Sequence, residues 1–224
     1  MIYSGPSPWQ TEKNRQLYYQ QRDNTAKWSA IELEVIAHPQ TWIVHRGPET
    51  DPCFKYMENL FPQTQKGIAE TNIYFIRNGY FWSSTIDLPT EAGGLYAPSI
   101  GAIFLKDGTG INWEIILVHE LCHRASHLLG RMGSQEVEEN FAFFHSLGFI
   151  KPKYPKEFVI SKYLKPYCLY VQYQESTGQG TPISKEEIEK RALVMAENFY
   201  NGKWGELEIG TKEEAPAPSV WDII

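Results

Sequence analysis

The sequence predicts an α+β fold: a small mixed sheet packed on two consecutive helices, with further helices toward the C-terminus. Three observations predict it. Short runs of β-branched and aromatic residues, bounded by turn residues, occupy the first half, and 72–83 is the clearest. From Trp113 onward, apolar residues recur at helical spacing through two segments parted by Gly130 and Gly133. Ser184-Lys185-Glu186-Glu187 is a capping box that opens a later helix. Strands first and helices afterwards is an α+β order.

The elements follow in sequence. Residues 1–28 are polar and rich in Gln, Asn and Arg, and read as an N-terminal arm or short helix. Ile31–Ala37 alternates Ile31, Leu33 and Val35 with Glu32 and Glu34, so it reads as a strand. Trp42–His45 continues it after a turn at Pro39. Asp51–Leu60, after Pro48, reads as a helix with Phe54, Met57 and Leu60 on one side. Ile73–Ile76 and Tyr80–Trp82 flank Asn78-Gly79, the favoured two-residue hairpin turn. Gly101–Leu105 is a strand. Trp113 to Gly130 and Ser134 to Leu147 are helices, the second closed by Gly148. Glu157–Tyr173 is helical, with Pro166 as kink or break. After a Gly-rich linker at Ser176–Thr181, the capping box opens a helix through Tyr200, ended by Gly202. The predicted organisation is an arm over 1–28, one domain over 29–205 with a helical part at 155–202, and a tail over 206–224. That tail runs through Ala-Pro-Ala-Pro into an apolar end, Val220-Trp221, which suits a docking partner as well as a plain disordered end.

Composition narrows the classes. At 224 residues, 42% hydrophobic and 14% aromatic, the chain can bury one good core. A net charge of −6 without a strong basic run does not indicate nucleic acid. The three cysteines are widely spaced and odd in number, which does not look like a disulfide framework. The first residues lack a charged-then-apolar leader, and no apolar run approaches the ~20 residues of a membrane span. A cytoplasmic location is the simplest expectation, with packaging in a particle as another.

One motif carries chemistry. His119-Glu120-Leu121-Cys122-His123 fits H-E-x-x-H inside a predicted helix. Two histidines four apart share one helical face, so their imidazoles can converge on one zinc ion. Glu120 between them is then placed to act as general base. Trp113, Ile115, Ile116, Leu117 and Val118 make this a buried helix, where His and Glu need partners or a metal. The plain alternative is a polar face bonded to neighbours or to water.

Catalytic zinc takes three protein ligands and leaves one position open. His127 shares the face of His119 and His123, but lies about 12 Å from His119 along a straight helix. It suits a substrate contact or a group that supports the ligands better than it suits a ligand. The helix over 134–147 offers Glu136, Glu138 and Glu139. At about 100° per residue, its apolar residues point on average near Val137 and Phe144. Glu136 lies at the edge of that face, and Glu138 and Glu139 point away. Glu136 is therefore the first candidate for third ligand and Glu139 the second. The alternative is a solvated acidic first turn favoured by the helix dipole.

A zinc helix with H-E-x-x-H followed by a glutamate on the next helix resembles the gluzincin metallopeptidases. Within them, residues 93–144 look like the ImmA/IrrE group: a short strand, the motif, His127 four residues on, then Glu136, Asn140, Phe141 and Ala142. Cys122 and Glu139 stand where that pattern has Gly and Ala. The resemblance implies a zincin-like fold and hydrolysis of a peptide bond in a protein partner by a zinc-activated water. Zn²⁺ would sit on His119, His123 and Glu136, with Glu120 as base. His127, Tyr96 and Tyr154 are candidates for the oxyanion donor, and Asn140 for orienting a ligand. The strand at Ser99–Leu105 would bind extended substrate by edge pairing. Cys122 points off the ligand face and suits packing. The rival is a zincin-fold protein that no longer cleaves and uses the metal as a structural clamp in binding or assembly.

Overall fold

The computed structural model describes residues 24–38, 41–44, 46–76, 93–106, 113–130, 135–169 and 183–203, without the side chains of 42–44 and 135–137. Helix α1, Thr25–Ala37, begins where the Asn24 side chain accepts the Lys27 N–H at 3.0 Å. It replaces the strand expected over Ile31–Ala37. Trp28, Ile31 and Val35 are buried at helical spacing, while Leu33 is 69% exposed. The alternation was incidental: Trp28, outside the strand pattern, sets the period of the buried face.

The sheet contains β1 (Thr41–Val44), β2 (Asn72–Ile76), β3 (Gly94–Ala97) and β4 (Ala102–Lys106), in the order β1-β2-β4-β3. β1 and β2 are antiparallel, β2 and β4 parallel, and β4 and β3 antiparallel. The mixed sheet expected from sequence is therefore present, but one detail differs. Residues Ile73–Ile76 pair with β1 on one side and β4 on the other. Residues 77–92, with the Asn78-Gly79 turn, lie outside the described residues. β4 is likewise paired on both sides, so Ser99–Leu105 cannot bind substrate as an edge. The strands with one neighbour among the described residues are β1 and β3, and of these β3 packs against the helix Trp113–Leu128.

One face of the sheet is closed by α1. Trp28, Ile31 and Val35 meet Tyr74, Ile76, Leu95, Ala97, Ala102 and Phe104. Phe104 stacks between Trp28 and Tyr74, at 5.9 and 5.3 Å between ring centroids. Burying side chains of this size stabilises by roughly 1.5–3 kcal/mol each before entropy is counted.

The other face receives α4, Trp113–Leu128, which packs on β3 and β4. Leu117, Val118, Leu121, Cys122 and Ala125 form its buried stripe. Gly130 ends it at φ +66°, its N–H donating to the His127 carbonyl. Helix α2, Asp51–Leu60, forms at the predicted bounds and packs on α4. A 3₁₀ turn at Pro62–Thr64 and the short α3, Gln65–Ala69, follow.

α5, Gln135–Ile150, runs through Gly148 instead of stopping there. Tyr56 explains the glycine: a Cβ at position 148 would lie 2.5 Å from its hydroxyl, which donates to the His145 carbonyl. The phase of α5 also differs from expectation. Glu138, Phe141, Ala142, His145 and Phe149 are buried, whereas Phe143 and Phe144 are half-buried. Phe61 and Phe141 ring His145 at 5.1 and 4.7 Å. Polar residues on the buried face misled the apolar average.

The chain divides into Met1–Phe149 and Ile150–Ile224. In the second unit, α6 (Lys156–Val159) passes into a π-helical segment at Ile160–Leu164, then α-helix again over 165–169. Pro166 has no N–H to donate, and the widened turn just before it is the form taken by the expected kink. α7, Lys185–Tyr200, has Ser184 accepting the Glu187 N–H at 3.2 Å and Gly202 at φ +81°, as its capping signals predict. Cys53, Cys122 and Cys168 are all free thiols. No helix among the described residues is long and apolar enough to cross a membrane.

Candidate metal centre

α4 presents His119 and His123 one turn apart, and α5 brings Glu139 to them. Their Nε2 atoms are 3.2 Å from each other. Glu139 Oε2 is 3.2 Å from His119 Nε2, and its Oε1 is 3.6 Å from His123 Nε2. Tetrahedral zinc with bonds of 2.0–2.1 Å separates its ligand atoms by about 3.3 Å. The two carboxylate distances belong to different oxygens, and one donor atom from each residue lies within 4.8 Å of the other two, a group that a small shift would close round one zinc ion. Their identities, two imidazoles and a carboxylate, suit zinc as well. Glu139 reaches this position because Phe141, His145 and Phe149 seat α5 against Phe61 and Tyr56.

The same contacts set the protonation of the three groups. Burial disfavours a charged His119, but the hydrogen bond and charge of Glu139 outweigh it and raise the pKa. For Glu139, burial acts upward, while the His119 hydrogen bond and the two imidazoles pull it down to about 2. Its ionised form is favoured by the two imidazoles, and its side chain is 41% exposed.

Glu120 is 7% exposed, between α4 and β3. Burial raises its pKa to about 7, against the lowering effects of His119 and the Tyr96 backbone N–H, which donates to it. Lys106 N–H donates to the Gly93 carbonyl, which turns 93, 95 and 97 toward β4 and leaves the backbone groups of Gly94 and Tyr96 on the outer edge. Gly94 permits the approach: a Cβ there would lie 2.9 Å from Glu120 Oε1 and 2.7 Å from Ile116.

His127 lies one turn beyond His123. Its Nδ1 meets the Tyr96 hydroxyl at 2.6 Å, and Arg124 Nη1 donates to the same hydroxyl at 3.1 Å. Tyr154 lies in the second unit, stacked on Phe158 at 5.1 Å. Asn140 is half-buried on α5. Cys122 is buried with its Sγ 3.8 Å from Met57 Sδ, in the packing role expected of it.

Of the predicted site, His119, Glu120 and His123 come together. Glu136 is on α5, one turn before Glu139, and its side chain is outside the described residues. The carboxylate seen against the histidines is Glu139, which sequence phase had pointed away. Arg124 and Gly94 were not singled out from sequence. A cation directly after His123 on an apolar helix was the available signal for the first.

Comparison with family models, with curated proteins and with solved structures returns no match in any of the three.

Proposed function

We propose that this protein is a zinc-dependent, zincin-like metallopeptidase that hydrolyses peptide bonds of a protein or peptide partner. The observation that carries the proposal is the donor triangle of His119, His123 and Glu139, with a buried Glu120 beside it. We assign the third ligand to Glu139 in place of Glu136. Bound zinc supplies a Lewis acid that brings the pKa of water near 7. Glu120 takes the proton from the attacking water and passes it to the leaving amine. Its place against the Tyr96 N–H holds it at the outer edge of β3. That edge takes an extended peptide as an added strand, with the Gly94 and Tyr96 carbonyls as acceptors. His127 is the donor for the developing oxyanion, and the Tyr96 hydroxyl backs it at Nδ1.

Among the described residues the candidate group has three members. Three ligands leave a position for water, which favours an active centre over a closed structural clamp. Metal analysis by mass spectrometry and cleavage of an unstructured protein pool decide the matter. About one zinc per chain, and cleavage that stops on chelation and returns with zinc, are expected. Zinc bound tightly with no cleavage of any pool component would leave the clamp as the function. Glu139→Gln should lose metal. Full retention there, with loss in Glu136→Gln, would return the ligand to Glu136.

A further inference from the structure

Arg124 is half-buried on α4 and held from three sides. Nη1 donates to the Tyr96 hydroxyl at 3.1 Å and Nη2 to the Gly67 carbonyl at 3.4 Å. The guanidinium also lies over the Tyr96 ring, 6.0 Å from its centroid. Gly101, at φ +65°, leaves it room, since a Cβ there would sit 3.1 Å from Nη1. Its Nε is buried with no hydrogen-bond partner among the described residues. A cation enclosed with a donor unused is a poor source of stability.

Its value lies in the direction it imposes on protons. A guanidinium can only donate, so the Tyr96 oxygen accepts from Arg124. An oxygen that already accepts from a cation is a poorer acceptor for a second N–H and a stronger O–H donor, which favours donation by the phenol along the 2.6 Å contact to His127 Nδ1. A ring nitrogen that accepts carries no proton, so a neutral His127 carries its proton on Nε2. We propose that Arg124 is a positioning residue which, through Tyr96, holds His127 in the Nε2–H form as a hydrogen-bond donor one turn along α4 from the metal ligands. The catalytic use of that donor rests on the peptidase function: Nε2–H meets the carbonyl oxygen of bound peptide as its charge develops. The opposite tautomer would present a lone pair that repels the same oxygen.

The test is long-range proton–nitrogen NMR on the full chain with labelled histidine rings, the His127 signals being those lost in His127→Gln. The wild type is expected to show the neutral Nε2–H tautomer at His127. Arg124→Met and Tyr96→Phe should each shift population to Nδ1–H. A wild-type proton on Nδ1, or no shift in either variant, overturns the relay. In peptide cleavage, Arg124→Met should lower kcat by about 10–100-fold with KM and zinc content kept, because an oxyanion donor is misdirected and not deleted. Arg124→Lys, which can still donate to the phenol, should recover part of the loss. A shifted tautomer with unchanged kcat would overturn the catalytic use and keep the relay. A wild type that cleaves nothing would end the peptidase assignment, and the NMR result would still decide the relay.

Discussion

The side of the sheet under α1 holds Trp28, Ile31, Val35, Leu95 and Phe104 in dry aromatic and aliphatic contact. The side under α4 has His119, Glu120, His123 and His127 along the helix, with Tyr96 reaching them from β3. One four-residue strand serves both. Leu95 and Ala97 enter the core, and Gly94 and Tyr96 meet the site. Core packing and the candidate site are thus separated by the period-2 alternation of a strand rather than by distance. Substitutions on the first face should be read in unfolding experiments, and those on the second in turnover.

The largest effect should come from the site face. Glu120→Gln is expected to reduce cleavage by about 10²–10⁴-fold while keeping zinc and an unchanged or higher unfolding midpoint. Normal turnover in that variant would remove Glu120 as base. On the opposite face, Phe104→Ala should destabilise by about 3–5 kcal/mol, measured by denaturant unfolding. Its folded fraction should keep wild-type kcat. A matching fall in kcat would show that the two faces are coupled.

His145, away from both faces, tests whether buried histidine is simply packing. Burial lowers its pKa from 6.5 to about 4. The unfolded chain therefore takes up a proton between pH 6.5 and 4 while the folded one does not. The stability contribution is present above pH 6.5 and lost as pH falls through that window. His145→Phe should flatten the fall in unfolding free energy between those values. An unchanged slope would place the acid sensitivity elsewhere.

A smaller effect is expected at the seam between the faces. Gly94→Ala sets a Cβ 2.9 Å from Glu120 Oε1, so the carboxylate must move. A displacement of this kind should lower kcat by roughly 10-fold or more, with little change in zinc content. Smallest of all, Leu33→Ala on the exposed side of α1 should stay within about 0.5 kcal/mol of wild type, read by thermal unfolding.

Much of this arrangement was legible in residue order, for reasons that differ by element. α7 announced itself because Ser184 caps the Glu187 N–H locally and Gly202 supplies the stop. The histidine pair was legible because i, i+4 spacing fixes a shared face whatever the surroundings. α1 was missed because the alternation of Ile31, Leu33 and Val35 fits a strand as well as a helix, and only Trp28 breaks the tie. Glu139 was ranked behind Glu136 because a phase taken from apolar residues fails when the buried face of α5 also carries Glu138, His145 and Ser146. The neighbours of Ile73–Ile76 were not legible because a local turn signal says nothing about strands arriving from 41–44 and 102–106.

Because β3 alternates between core and site, a slip of one residue against β4 would carry Leu95 and Ala97 to the α4 side and Gly94 and Tyr96 into the core. Such a chain would lose its packing, the support of Glu120 and the phenol beside His127 together. A misregistered molecule would therefore lose its core and its candidate site in one step. The strand works as a fidelity check: the folding event that seats Leu95 beside Phe104 is the same one that arms the site.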